Sequence, residues 1–484
     1  MAISYAAFPA AVIYTNKTLK EPCQHLLWGD EVTVESIDGK VAKVVGRKTS
    51  GYMRTSDLVS EQILQITFVD IGQGDGVFLT MPTGKHMLID AGDGDSMQRF
   101  LRWRFDNFTS QVAFETAVIS HSDQDHYGGF SDVFDENLTI GTLFHNGIME
   151  QTGANPLGSR SSTTPSLVTE LITTRPELDA FLKYVAVWKN KRYPTMLDKG
   201  IRNKVLTKIR SLSVSDEYLP GYGPNDPIQI EVLGPIVETI GDETGLRWLG
   251  DPGKTKNGHS IVLRLTIGGV RILLGGDLNI PSENLLMAHH TGLSTPAASA
   301  IEHAALVAAA RAKFQVEIAK ACHHGSADVS LDFLQALNPI ATVISSGDDE
   351  PYAHPRAEAL GAIGACSRGP RPLIFSTELA RSTRENIKHP NVLKARLSEL
   401  PSLIASSTEP KAKAKLEKEQ EELLGSLDRS VAVFGAINLR TDGKRVVLAY
   451  KIEAPRRKDK KWDLYTLIPD ARGQLRYQSQ PDEA

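Results

Sequence analysis

From residue 63 to about residue 375 the sequence reads as short apolar runs, each stopped by glycine or by a polar cluster. Ile63-Leu64-Gln65-Ile66-Thr67-Phe68-Val69-Asp70 is such a run, and its β-branched and aromatic content predicts a strand. Val77 to Thr80 and His86 to Asp90 predict two more, turning about Pro82-Thr83-Gly84, and Ala117-Val118-Ile119 predicts another. Sheet texture returns at Ile228 to Leu233, then at Ser260 to Ile267 and Val270 to Leu274, which Gly268-Gly269 joins as a hairpin. An alanine-rich helix is predicted from Ala297 to Lys313, followed by strands at Val316 to Ala321 and Ala341 to Ser345.

The flanks have a different texture. Residues 1 to about 60 carry short β-rich runs (Ala11 to Tyr14, Glu31 to Val34, Val41 to Val45) broken by turns such as Asp38-Gly39, which predicts a separate small β module. With Trp28-Gly29-Asp30 before a strand and Gly51-Tyr52-Met53 near its end, this module resembles bacterial SH3-like barrels. Residues 140 to 256 are poorly patterned and are expected to be an insertion roofing the site. Thr163-Thr164-Pro165 is the predicted start of a helix carrying Leu167, Leu171, Leu182, Tyr184 and Val187. Residues 376 to 484 are expected to form an extension: a charged helix through Lys411 to Leu424, then a hairpin about Thr441-Asp442-Gly443-Lys444 and a tail.

The chemistry gathers just past the strands. After Ala117-Val118-Ile119 comes Ser120-His121-Ser122-Asp123-Gln124-Asp125-His126-Tyr127-Gly128-Gly129. In extended backbone alternate residues point the same way, so His121, Asp123 and Asp125 project to one side with His126 beside them. Imidazoles and carboxylates at this density suit two divalent ions. Further ligand-type groups follow other strands: Asp90, Asp277 beside Gly275-Gly276, His323-His324-Gly325-Ser326, and His354 in Tyr352-Ala353-His354-Pro355. An Asp at Asp90 can orient a metal ligand by hydrogen bonding. The glycine-rich Gly72-Gln73-Gly74-Asp75-Gly76 is followed by a strand, not a helix, which argues against a nucleotide-binding loop.

Composition narrows the class. The 484 residues are 41% hydrophobic and 23% charged, an ordinary globular balance, and the net charge of −4 excludes wholesale wrapping by nucleic acid. Local basic runs remain, from Lys189 to Arg210 and from Arg456 to Lys461, and could track a phosphate backbone or be solvated surface. Cys23, Cys322 and Cys366 lie far apart, which fits no disulfide framework and is consistent with a reducing cytoplasm. No secretory leader or transmembrane segment is predicted, so the expected location is cytoplasmic.

Taken together, Phe68 to Asp75, Leu88 to Gly92, Ser120 to Gly129, Asn257 to Leu263, Gly276-Asp277-Leu278, His323 to Ser326 and Tyr352 to Pro355 resemble the metallo-β-lactamase fold. The particular likeness is to the soluble hydrolase domain attached to the DNA-uptake channel ComEC, here as a stand-alone relative. The resemblance covers residues 63 to about 375 and implies an α/β fold, a four-layer αβ/βα sandwich with the site at the sheet edge. It implies two divalent ions, Zn²⁺ or Mn²⁺, held by His121 and Asp123 on one side and by Asp125 and His126 on the other, with Asp277 approaching both. Asp123 stands where the commoner motif has histidine, which favours harder ions such as Mn²⁺. His324, His354 and His259 are the further candidate ligands, with Ser260 an alternative to His259. Asp125, Asp90 and His324 are the expected catalytic set, and His323, Ser326, Lys204 and Arg210 the expected substrate contacts.

The implied activity is metal-dependent hydrolysis by a phosphodiesterase, foremost a nuclease acting on nucleic acid. A hydrolase of a small phosphodiester, phospholipid or lactone is an alternative, as is a non-catalytic scaffold whose N-terminal module binds a protein partner.

Overall fold

The strand Leu64–Phe68 is buried at all five positions, as a strand covered on both faces must be. In the computed structural model, which describes residues 2–183, 192–347, 352–378, 390–427, 430–452 and 461–477, it lies inside a ten-stranded sheet. Across that sheet the order is Leu206–Ser211, Leu138–His145, Val112–Val118, His86–Ala91, Gly76–Thr80, Leu64–Phe68, Ile437–Thr441, Val446–Lys451, Trp462–Pro469, Leu475–Tyr477. The first four run parallel to one another. A second, six-stranded sheet runs Ile228–Gly234, Val262–Ile267, Val270–Leu274, Ile318–Lys320, Ala341–Ile344, Leu373–Ser376. The protein is thus a mixed α/β molecule.

Alternation along the strands decides the layering. Val77 and Leu79 join a core shared with Ile230, Leu263, Ile272 and Val343 of the second sheet, whereas Phe78 points the other way. On that other face Phe78, Leu88 and Phe114 pack with Met97, Phe100 and Leu101 of helix Ser96–Arg104 and with Met196 and Leu197 of helix Arg192–Arg202. The far face of the second sheet meets Leu286, Leu306, Phe314, Phe333 and Ile363 from its own helices. Helices therefore cover the outside of two sheets that share one core.

Residues 2 to 59 form a separate seven-stranded sheet around Ile13, Leu26, Val32, Val44 and Met53. Its Leu27 and Trp28 pack on Ile63, Val447, Ala449 and Trp462 of the body. Among the described residues no helix is long and apolar enough to cross a membrane.

Three expectations need correction. The segment from 140 to 256 is not wholly an insertion: Leu138–His145 and Leu206–Ser211 belong to the large sheet and Ile228–Gly234 to the second, while Leu167–Val168, Val237–Ile240 and Glu243–Arg247 form a small sheet of their own. Leu206–Ser211 is an edge strand with three exposed positions, which blurs its hydropathy. Thr163-Thr164-Pro165 starts no helix; the chain turns into a short strand, Leu167–Val168. The helix runs instead from Arg175 to Leu182, where Thr174 and Glu177 form a capping box; Tyr184 and Val187 lie outside the described residues. The C-terminal hairpin is no appendage either, because Ile437–Thr441 pairs antiparallel with Leu64–Phe68 near the middle of the large sheet.

Candidate metal centre

Asp90, at the end of strand His86–Ala91, fixes the central loop. Its Oδ1 accepts from the Ser120 backbone N–H (2.7 Å), and its Oδ2 accepts from Ser120 Oγ (2.7 Å) and faces His126 Nδ1 at 2.9 Å. These bonds let it position His126, and with Asp75 and His126 it also forms a buried ligand-type group. The loop then enters a single helical turn, Gln124–Tyr127, whose His126 and Tyr127 N–H groups donate to the Asp123 carbonyl. The glycine-rich loop crosses it closely: a Cβ on Gly74, whose φ is +107°, would lie 1.8 Å from the Asp125 carbonyl oxygen.

Strand tips from both sheets bring the remaining groups together. His126 Nε2 lies 3.3 Å from Asp277 Oδ1, and His324 Nε2 lies 3.2 Å from Asp277 Oδ2 and 3.4 Å from Asp125 Oδ2. The two Nε2 atoms are 3.3 Å apart. His121 with His126 and Asp277 forms one compact ligand-type group, Asp125 with His126 and His324 a second, and Asp75 with Asp277 and His324 a third.

The outer nitrogens of these rings are already occupied. His324 Nδ1 donates to the Ser345 carbonyl at 3.1 Å, and His121 Nδ1 lies 3.1 Å from Ser120 Oγ and 3.2 Å from Ser260 Oγ. That leaves the Nε2 lone pairs facing inward, as metal ligation requires. Buried His121 Nε2 and Asp277 Oδ1 make no well-aligned hydrogen bond. Such orphaned buried atoms, on two residues of one compact ligand-type group, fit divalent cations. Electrostatics agrees in sign. Burial disfavours the imidazolium of His126, but Asp277, Asp90 and Asp125 outweigh it and raise its pKa well above the ordinary value. Burial likewise opposes ionised Asp277, yet His324 and His126 hold its pKa well below the carboxylate range. The pocket stabilises positive charge, and a cation would displace protons from it.

Two residues that sequence reasoning did not assign complete the surroundings. Asp75 Oδ1 is 3.3 Å from His324 Nδ1, and its Oδ2 pairs with Lys320, a lysine 2% exposed. A lone lysine inside the apolar run Val316 to Ala321 was the available signal, because a buried ammonium demands a carboxylate.

The other candidates scatter. His259 does not face the cluster: its Nε2 is bound to the Arg247 carbonyl at 2.7 Å, and burial pushes its pKa down to about 4. Ser260, one position on and opposite in direction, faces His121 and accepts the Asp277 backbone N–H at 3.0 Å. Asp123 lies 3.5 Å from His121 Nε2 but is engaged by Lys256. His323 Nε2 is 4.0 Å from Asp277 Oδ2, partly exposed at the rim, with the His354 ring 5.7 Å away. His354 belongs to none of the compact groups. Ser326 accepts from the Asp328 backbone N–H.

Lys204 lies two residues before strand Leu206–Ser211, at the opposite edge from the loop that follows the parallel strand Val112–Val118. Arg210 is on the near edge but is paired with Asp216. Along the loop's outer side an open groove is lined by Arg192, Lys199 and Arg202 and by as many acids, Asp93, Asp132 and Asp135. Lys189 and Lys191, like Arg456 to Lys460 of the second basic run, lie outside the described residues. No family model matches the chain, and no curated protein is similar enough to match it.

Proposed function

We propose that this protein is a metallo-β-lactamase-fold hydrolase of the ComEC type, carrying an SH3-like N-terminal module, and that it cleaves phosphodiesters with two divalent ions. The observation that carries this reading is the approach of two imidazole Nε2 atoms, from His126 and His324, to the two oxygens of one buried carboxylate, Asp277. A carboxylate shared in this way suits a pair of cations. Zn²⁺ or Mn²⁺ at this position supplies Lewis acidity and a water of near-neutral pKa.

The chain's own groups have separable tasks in this reading. His121, Asp123, Asp125, His126, Asp277 and His324 would hold the ions. Asp90 and the Ser345 carbonyl fix the ring orientations, and Lys320 keeps Asp75 ionised beside His324. Rim-exposed His323 is placed to give a proton to a leaving oxygen.

Nucleic acid is the substrate that the resemblance favours. One observation supports a smaller phosphodiester: Lys199, Arg202 and Arg210 of the basic run are each paired with an aspartate. The test is elemental analysis of the purified protein together with cleavage of single-stranded DNA, double-stranded DNA, RNA and bis(p-nitrophenyl) phosphate, with and without Mn²⁺. Polymer cleavage lost in an Asp125→Ala/His126→Ala variant establishes the nuclease. Cleavage of the small diester alone selects the second substrate. A protein that binds no metal and cleaves nothing after reconstitution leaves a scaffold whose N-terminal module and C-terminal hairpin would carry the function.

A further inference from the structure

We propose that the centre holds its two cations unequally, and that Lys256 is a built-in competitor for the weaker position. The inference rests on the metal-dependent reading above and concerns the two halves of the same cluster.

One half is complete. Asp277 and the two imidazoles of His126 and His324 are buried, and Asp125 stands beside them, within 3.4 Å of His324. Their inward-facing atoms have chiefly one another for company. The other half is thinner. His121 and Asp277 reach it, with His126 shared between the two halves, but His259 is turned away to the Arg247 carbonyl. Ser260, which takes its place, faces the outer nitrogen of His121 and the Asp277 backbone, behind the position an ion would take.

Asp123 should be the remaining ligand here, and both of its oxygens are occupied. Oδ1 pairs with Lys256 Nζ, and with its amide oriented to donate, Asn257 Nδ2 lies 2.6 Å from Oδ2. Lys256 is no loosely solvated lysine. Its side chain is 15% exposed, a second carboxylate, Glu150, lies 3.2 Å from Nζ, and its helix Pro252–Gly258 is capped by Asp251. An ion entering this half must therefore displace an ammonium from a carboxylate. Glu150 gives that ammonium somewhere to go, which makes the displacement reversible.

The experiment is calorimetric titration of the metal-stripped full chain with Mn²⁺, alongside a count of ions retained after gel filtration. Wild type is expected to keep about one ion and to bind the next at least about tenfold more weakly, the scale of one charged hydrogen bond. Lys256→Met should strengthen the weak step by about tenfold, while Lys256→Arg should not. Glu150→Gln should weaken it, by leaving the ammonium to Asp123 alone. Opposite movement in the two variants separates competition from general damage to the fold. Two equal affinities in wild type, or a weak step that Lys256→Met leaves unchanged, would overturn the proposal while the metal-dependent reading stands. Failure of any ion to bind would overturn both.

Discussion

Glu283 shows how a single buried group outside the cluster sets a measurable property. It is fully buried on the helix Ile280–Thr291, and its Oε2 accepts the Ser330 backbone N–H at 2.6 Å. Burial, with Asp328 adding to it, pushes the carboxyl up to about 8 from its ordinary 4.5. Below pH 4.5 the group is neutral whether the chain is folded or not, so its contribution to stability is intact. As the pH rises towards 8 the unfolded chain ionises first, stability falls, and the loss levels off once the folded form also ionises. Thermal melts from pH 5 to 8 should show wild type losing on the order of a few kcal/mol relative to Glu283→Gln. Parallel curves for the two proteins would show that the carboxyl is ionised throughout.

Between elements, the decisive contact is the crossing of the glycine-rich loop over the turn Gln124–Tyr127. The Asp75 N–H donates to the Asp125 carbonyl at 3.1 Å, and Gly347 comes so close to Gly72 that a Cβ there would lie 2.3 Å from its carbonyl carbon. Three segments from different parts of the chain are thereby held at backbone distance, and Asp75 and Asp125 are set relative to each other. Gly74→Ala forces a side chain both into the Asp125 carbonyl and onto a left-handed φ. It should cost at least about 2 kcal/mol in denaturant unfolding and also weaken Mn²⁺ binding, since both depend on the same crossing. Lost stability with unaltered metal affinity would show that the loop does not position Asp125.

On the scale of the whole molecule, the N-terminal sheet is joined to the body through charge as well as apolar contact. Asp30 accepts both Arg47 Nε and Nη2 at 2.9 Å and lies 3.8 Å from Arg440, which is buried on strand Ile437–Thr441. Burial lowers Arg440 to about 10 despite the opposing pull of Asp30, so this guanidinium depends on a carboxylate that another sheet supplies. Asp30→Ala should destabilise the protein by about 3 kcal/mol or more, because it strands a buried cation. Chemical denaturation measures this directly, and an unchanged midpoint would mean that the two parts are energetically independent.

The sequence by itself determined where the chemistry stands along the chain. An apolar strand and the polar loop that ends it are contiguous, so Asp90, the Ser120 to Gly129 loop, Asp277 and His324 could be placed at strand tips from hydropathy alone. Which side chains face the centre was left to the tertiary structure. His259 and Ser260 are neighbours in the sequence, and one residue of phase decides which of them points to His121. Asp75 and Lys320 gained significance only by pairing across segments some 240 residues apart, and the strand Ile437–Thr441 by finding Leu64–Phe68. A hairpin or a ligand loop is specified by local pattern; a sheet neighbour, a buried ion pair or an occupied carboxylate depends on segments that meet only when the chain has folded.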